Sequence, residues 1–131
     1  MIQIVYRSRA AVELTQEDLR DLIQVSRTNN ERDGVTGLLL YDGYRFVQAI
    51  EGPEAAIAAC YDRIVRDPRH SAVELVLREP VRTREFGSFA MTALSPGPAG
   101  KDIFVAEVKR HLEQVSAPHL QALFIGFAVL A

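Results

Sequence analysis

The stretch from Ser26 to Pro53, SRTNNERDGVTGLLLYDGYRFVQAIEGP, constrains the fold more than any other part of the chain. It reads as a helix end, two strands joined by an Asp42-Gly43 turn, and the start of a second helix at Gly52-Pro53. Side chains on a strand alternate between faces. On Tyr44 to Ile50, therefore, Tyr44, Phe46, Gln48 and Ile50 share one face, and Arg45, Val47 and Ala49 the other. Gln48 falls in phase with the more apolar set. A buried carboxamide without partners costs about 1–3 kcal/mol. A hydrogen-bonding group inside the fold is therefore expected beside it.

The flanking segments supply the remaining elements. Ile2 to Tyr6 reads as a strand with Ile2, Ile4 and Tyr6 on one face. Thr15 is placed to cap a helix, with Asp18 as the capping-box acid and Leu14 and Leu19 as a hydrophobic staple. That helix should bury Leu19, Leu22, Ile23 and Ser26 and end near Asn29-Asn30, ahead of a strand from Val35 to Tyr41. Pro53 suits the first position of the second helix, whose apolar stripe is Ile57, Cys60, Tyr61, Ile64 and Val65, and which Asp67-Pro68 ends. A fourth strand is expected over Val73 to Arg78, a charged connection over Pro80 to Ser88, and a fifth strand over Phe89 to Ala93. After the break SPGPAG (95–100) come a helix over Ile103 to Val115 and an apolar segment over Leu120 to Leu130.

The order β-α-β-β-α-β-β-α(α) predicts an α+β, ferredoxin-like sheet with the first two helices on one face. The hairpin strands are apolar on both sides, Leu38, Leu40 and Val47 opposing Leu39 and Phe46. The C-terminal segment is therefore expected on the second face, from the same chain or from a neighbouring subunit.

Size and composition narrow the function classes. At 131 residues, 48% hydrophobic and 24% charged, the chain can build one domain with a substantial core. A formal net charge of −2 gives no electrostatic footprint for nucleic acid. No apolar run reaches the roughly 18 residues that span a bilayer, and the N-terminal MIQIVY lacks a signal-peptide pattern. A single cysteine, Cys60, on a helical apolar stripe reads as a core thiol in a reducing cytoplasm. It makes no metal cluster with His70, His111 and His119.

Three polar residues stand in apolar phase or at a helix end facing the core: Tyr6, Gln48 and Asn30. Tyr6 and Gln48 are expected on neighbouring strands, facing the gap between the two early helices. Amide side chains offer donors and an acceptor to the imide edge of a flat heterocycle in such a gap. The segments VYRS (5–8), NNERDGVTGLLLY (29–41), FVQAIEGP (46–53), RDPRH (66–70) and FAM (89–91) resemble, in order and spacing, the BLUF domain, a blue-light sensor using FAD. The resemblance covers residues 1–94, leaving 95–131 as a C-terminal helical extension.

In that family FAD lies between the two helices of the core, and the resemblance implies roles by position. Tyr6 matches the tyrosine that gives an electron and then a proton to excited flavin. Gln48 matches the glutamine that bridges tyrosine and flavin and rearranges after light. Asn30 matches the asparagine on the flavin carbonyl edge, and Asn29 a position against the ring. Ser26, Arg32 and Phe46 fall at nearby cofactor positions. Asp67, Arg69 and His70 match the segment near the ribityl chain and phosphates, and Met91 the methionine beside the glutamine. Phe89 stands where many members carry tryptophan, and this chain has none. A signal carried by a swinging tryptophan cannot apply here, and Tyr41 and Tyr44 remain as more distant electron donors.

Residues 95–131 are too short for a cyclase or phosphodiesterase, so the signal is expected to leave through a partner protein or a homo-oligomer interface. Two other readings of the fold remain. An acylphosphatase-like enzyme would need a glycine-rich loop after the first strand, where YRSRAA (6–11) has no glycine. A flavin-less interaction module would be colourless.

Overall fold

A computed structural model describes residues 1–87 and 91–131. Its elements run β1 (Ile2–Ala10), α1 (Gln16–Asp33), β2 (Thr36–Tyr41), β3 (Arg45–Gly52), α2 (Glu54–Arg66), β4 (His70–Pro80), β5 (Thr92–Leu94), α3 (Lys101–Leu112) and α4 (Pro118–Val129). The expected order is present. The five strands form one sheet in the order β4-β1-β3-β2-β5, antiparallel except for the β2–β5 pair.

Local chemistry explains most boundaries. Thr15 accepts from the Asp18 amide while Asp18 accepts from the Thr15 amide, a complete capping box. Thr15→Ala should therefore cost about 1 kcal/mol in denaturant unfolding, with no change at the site described below. α1 runs one turn beyond the expected Asn29-Asn30 end. Gly34, at φ 70°, supplies the left-handed residue that stops it, and its amide donates to the Asn30 carbonyl. Asp42 Oδ1 accepts from the amides of Tyr44 and Arg45 and so fixes the hairpin turn. Pro53 is the N-cap of α2 rather than its first helical residue.

Three strands, β1, β3 and β4, are longer than alternation alone predicts. β4 begins at His70 and ends at Pro80, because β1 offers a partner along its whole length. A register shift between Arg7 and Arg9 is absorbed at Ala72, which adopts φ 50°. The expected strand over Phe89 to Ala93 appears as Thr92–Leu94, and Phe89 and Ala90 lie outside the described residues.

Two helical layers cover the sheet. On one face α2 packs Ile57 and Cys60 on Ile4, Val35 and Ile50, while α1 packs Leu22 on Leu39, Tyr41, Phe46 and Met91. Cys60 is a buried free thiol, as its stripe predicts, but Val65 of the same stripe is exposed. On the other face α3 and α4 of the same chain bury Phe104, Val108, Leu120 and Phe124 against Val5, Leu38, Leu40, Val47 and Ala49. Gly126 does not interrupt α4. The expected stripe ends on Leu130, but the helix turns Ala128 inward and leaves Leu130 exposed. Among the described residues no helix is long and apolar enough to cross a membrane.

Candidate functional site

The site lies on the α1/α2 face, along the line where the two apolar clusters under these helices meet without sharing a residue. β1 and β3 set Tyr6 directly opposite Gln48. The Tyr6 hydroxyl donates to Gln48 Oε1, and Gln48 Nε2 donates to Met91 Sδ at 3.2 Å. A thioether has no hydrogen to give. Met91 therefore fixes the amide with its nitrogen toward the sulfur and its oxygen toward the phenol. The partner that buried Gln48 requires is thus the pair Tyr6 and Met91.

Tyr6 is completely enclosed. Burial pushes its phenol well above the ordinary tyrosine range, with Cys60, Asp67 and Tyr61 adding to the effect. It is a neutral hydroxyl held for donation. Its ring meets those of Tyr61 and His70 edge-on, each at 6.2 Å between centroids. His70 also lies 4.6 Å from the Phe46 ring, which stacks on Tyr41, and its Nδ1 is 2.8 Å from Ser8 Oγ. His70 is therefore a neighbour of the tyrosine, not a remote loop residue.

Burial lowers the His70 pKa, with Arg69 adding to the effect and Asp67 opposing it. The folded state thus disfavours the imidazolium, and the stability tied to neutral His70 is complete above the unfolded value of about 6.5. It is lost as pH falls below that value. The wild type should lose stability between pH 7.5 and pH 5.5, and His70→Gln should lose less over that interval. Equal losses in urea titrations would show that His70 is not held neutral.

Asn30 is buried, within 3.8 Å of Cys60 Sγ through its side-chain oxygen, while its carbonyl accepts from Val35. Asn29 and Ser26 are half-buried on α1. Arg69 forms a two-pronged pair with Asp67. Burial acts to raise the Asp67 pKa, but hydrogen bonds and charge from Arg69 overcome it and hold the carboxyl below its usual range. Arg32 is exposed and pairs with Asp33. Tyr41 donates to the Gly43 carbonyl, and Tyr44 is exposed at the turn.

Two contacts have no counterpart in the sequence pattern read above. Arg27 donates from Nε and Nη2 to the Met91 carbonyl, tying α1 to the residue that faces Gln48. Glu51, fully buried, accepts from Gln3 Nε2, Thr36 Oγ1 and the amides of Glu85 and Phe86. Glu51 shares the face of Val47 and Ala49, so the alternation that singles out Gln48 would flag it too. Nothing in the sequence marks Arg27.

Phenol, amides, thioether and flanking aromatic rings converge between two helices, and this donor set suits the imide edge and plane of a flavin. Tyr6, Asn30, Gln48 and Met91 would hold the ring, with His70 beside Tyr6 and Phe46 and the Asp67–Arg69 pair just before it in the chain. Architecture and site thus define an α+β, ferredoxin-like domain whose two early helices flank a donor set suited to a flat heteroaromatic ligand.

The family model for "Sensors of blue-light using FAD" matches residues 1–92, and the chain belongs to this family, BLUF. The chain is 36% identical over 88 residues to photoactivated adenylate cyclase subunit alpha of Euglena gracilis, covering 67% of this chain and 9% of that protein. It is 31% identical over 88 residues to the blue light- and temperature-regulated antirepressor BluF of Escherichia coli (strain K12), covering 67% of this chain and 22% of the relative. The chain therefore spans only a small part of the length of these relatives. The dark-state structure of the BLUF protein BlrB superposes with a TM-score of 0.76 at 31% identity, covering 99% of this chain and 96% of that one.

Proposed function

We propose that this chain is a blue-light receptor that holds FAD without a covalent bond and signals by rearranging the hydrogen bonds of Gln48. The observation that carries this reading is the relay Tyr6–Gln48–Met91, buried in a domain of the BLUF family. Bound flavin supplies blue-light absorption and, once excited, the capacity to oxidise a nearby phenol. The chain supplies everything else. Tyr6 offers a buried hydroxyl with its proton directed at Gln48 Oε1. Gln48 can present either end of its amide in nearly the same volume, so a turned or tautomerised amide is a second hydrogen-bonded state rather than a steric clash. Such a turn sets the amide oxygen on an acceptor sulfur at Met91 and loses that contact. This preference favours return of the dark arrangement.

The family description, using FAD, supports FAD over a shorter flavin, and Arg69 and His70 match the family segment near the ribityl chain and phosphates. Flavin released by denaturation and separated by chromatography should be FAD, and Arg69→Ala should lower its retention severalfold while the bound fraction keeps the wild-type light response. Release of riboflavin alone would contradict the placement of the phosphates.

Residues 1–94 form the sensor and 95–131 a helical extension that caps the sheet. The capping face is tied to the site through the 84–86 segment. The Glu85 carboxylate accepts from Ser116 between α3 and α4, and Phe86 meets Phe124 edge-on. The chain carries no enzymatic step of its own in this reading. It acts in the cytoplasm by changing its contact with a downstream protein or within a homo-oligomer, for only a state-dependent contact can move an equilibrium.

A further inference from the structure

The C-terminal helices leave part of the sheet uncovered beside α4. Between α4 and strands β1, β3 and β4 a groove of about 680 Å³ remains. Its α4 wall is apolar, built from Leu123, Gly126 and Phe127, and Ala72 and Val76 of β4 face it. Val76 is 40% exposed and Leu130, at the end of α4, 75%.

The rim has one sign of charge in excess. Arg7, Arg9 and Arg45 line the groove against a single carboxylate, Glu74. Arg7 pairs with Glu74, and Arg45 is held by Asp42 while its guanidinium lies 4.9 Å over the Phe127 ring. Arg9 is exposed and its guanidinium has no ion pair or hydrogen bond among the described residues. α4 contributes no acidic residue. The patch is thus basic on a chain whose formal net charge is −2.

We propose that this groove docks an acidic amphipathic helix of a partner protein, with its apolar side chains beside Gly126 and its carboxylates on Arg9 and Arg7. The groove lies on the face of the sheet alongside α4, which suits a helix read through i, i+3, i+4 and i+7 anchors. A strand added to the outer edge of β4 would lie in the sheet plane and leave the groove empty. A second copy related by a two-fold axis would set arginines against arginines. A flat anionic bilayer would meet the rim without reaching the floor. The inference deepens the reading that the signal passes to a partner. Docking is measured in the dark, so its failure leaves the photochemical reading intact.

The test uses the full flavin-loaded chain and two synthetic helices of about 16 residues that carry a red-absorbing dye, whose excitation light the flavin does not absorb. Both carry the same Leu and Phe anchors, one flanked by Glu and the other by Lys. In fluorescence anisotropy at low salt the Glu helix should bind about tenfold more tightly, and Arg9→Glu should erase that preference. Gly126→Leu fills the groove from within α4, where an added Cβ meets nothing within 4 Å. It should weaken the Glu helix at least tenfold while leaving the melting temperature undiminished. Equal binding of both helices, or undiminished binding to Gly126→Leu, overturns the proposal. Displacement of the helix by phosphatidylserine vesicles, or a dimer that Gly126→Leu dissociates, would assign the groove to a lipid surface or a second copy instead.

Discussion

Tyr6→Phe should keep its flavin and lose the light response entirely. Phenylalanine fills the same space between Tyr61 and His70, so the seam keeps its shape. What disappears is the hydroxyl that donates to Gln48 Oε1. No phenol then donates to the glutamine, since Tyr41 is committed to the Gly43 carbonyl, Tyr44 lies at the exposed hairpin turn, and Tyr61 meets the ring at position 6 edge-on without a hydrogen bond to Gln48. Gln48→Leu should give the same outcome for the complementary reason, because an apolar side chain of similar size has no hydrogen bonds to exchange. Difference spectra after blue illumination check both variants. A wild-type difference spectrum from either one would show that the signal does not arise in this pair.

Glu51→Ala should destabilise the fold by about 3–5 kcal/mol, well beyond the loss expected for Thr15→Ala. Its carboxyl group accepts from four donors, and removing it orphans the Gln3 amide, the Thr36 hydroxyl and the amides of Glu85 and Phe86 together. Arg84 reinforces the same junction, donating to Thr36 Oγ1, the Glu51 carbonyl and the Gly34 carbonyl. Glu51 and Arg84 together thus fasten residues 84–86 to β1, the start of β2, the end of β3 and Gly34 after α1. Glu51→Gln keeps one acceptor oxygen and should lose less. Urea unfolding followed by circular dichroism reads the difference, and an Ala variant within about 0.5 kcal/mol of wild type would refute the role given to this carboxyl group.

The fold is legible in the sequence because its signals agree with one another. The capping box at Thr15, the turn at Asp42-Gly43 and the two-sided hydrophobicity of the hairpin each survive in the structure for the physical reason that predicts them. Strand ends are less legible, because β1 and β4 extend one another through pairing that no single segment reveals. The candidate site shows the same division. Gln48 and Tyr6 can be read from phase, since an amide and a phenol on an apolar face need partners. His70 cannot be placed that way, because its position depends on β4 starting early enough to bring it beside Ser8 and Tyr6. Arg27 reaches the Met91 carbonyl from a helix position where nothing in sequence separates it from any other surface arginine.

Absorption of the purified, flavin-loaded chain before and after blue light tests the central claim most directly. A neutral, buried Tyr6 and a Gln48 amide with two hydrogen-bonded arrangements predict that the whole flavin band moves to longer wavelength without bleaching and returns in the dark. A band that bleaches, or one that does not move under illumination, would contradict the assignment of Tyr6 and Gln48 as the switch.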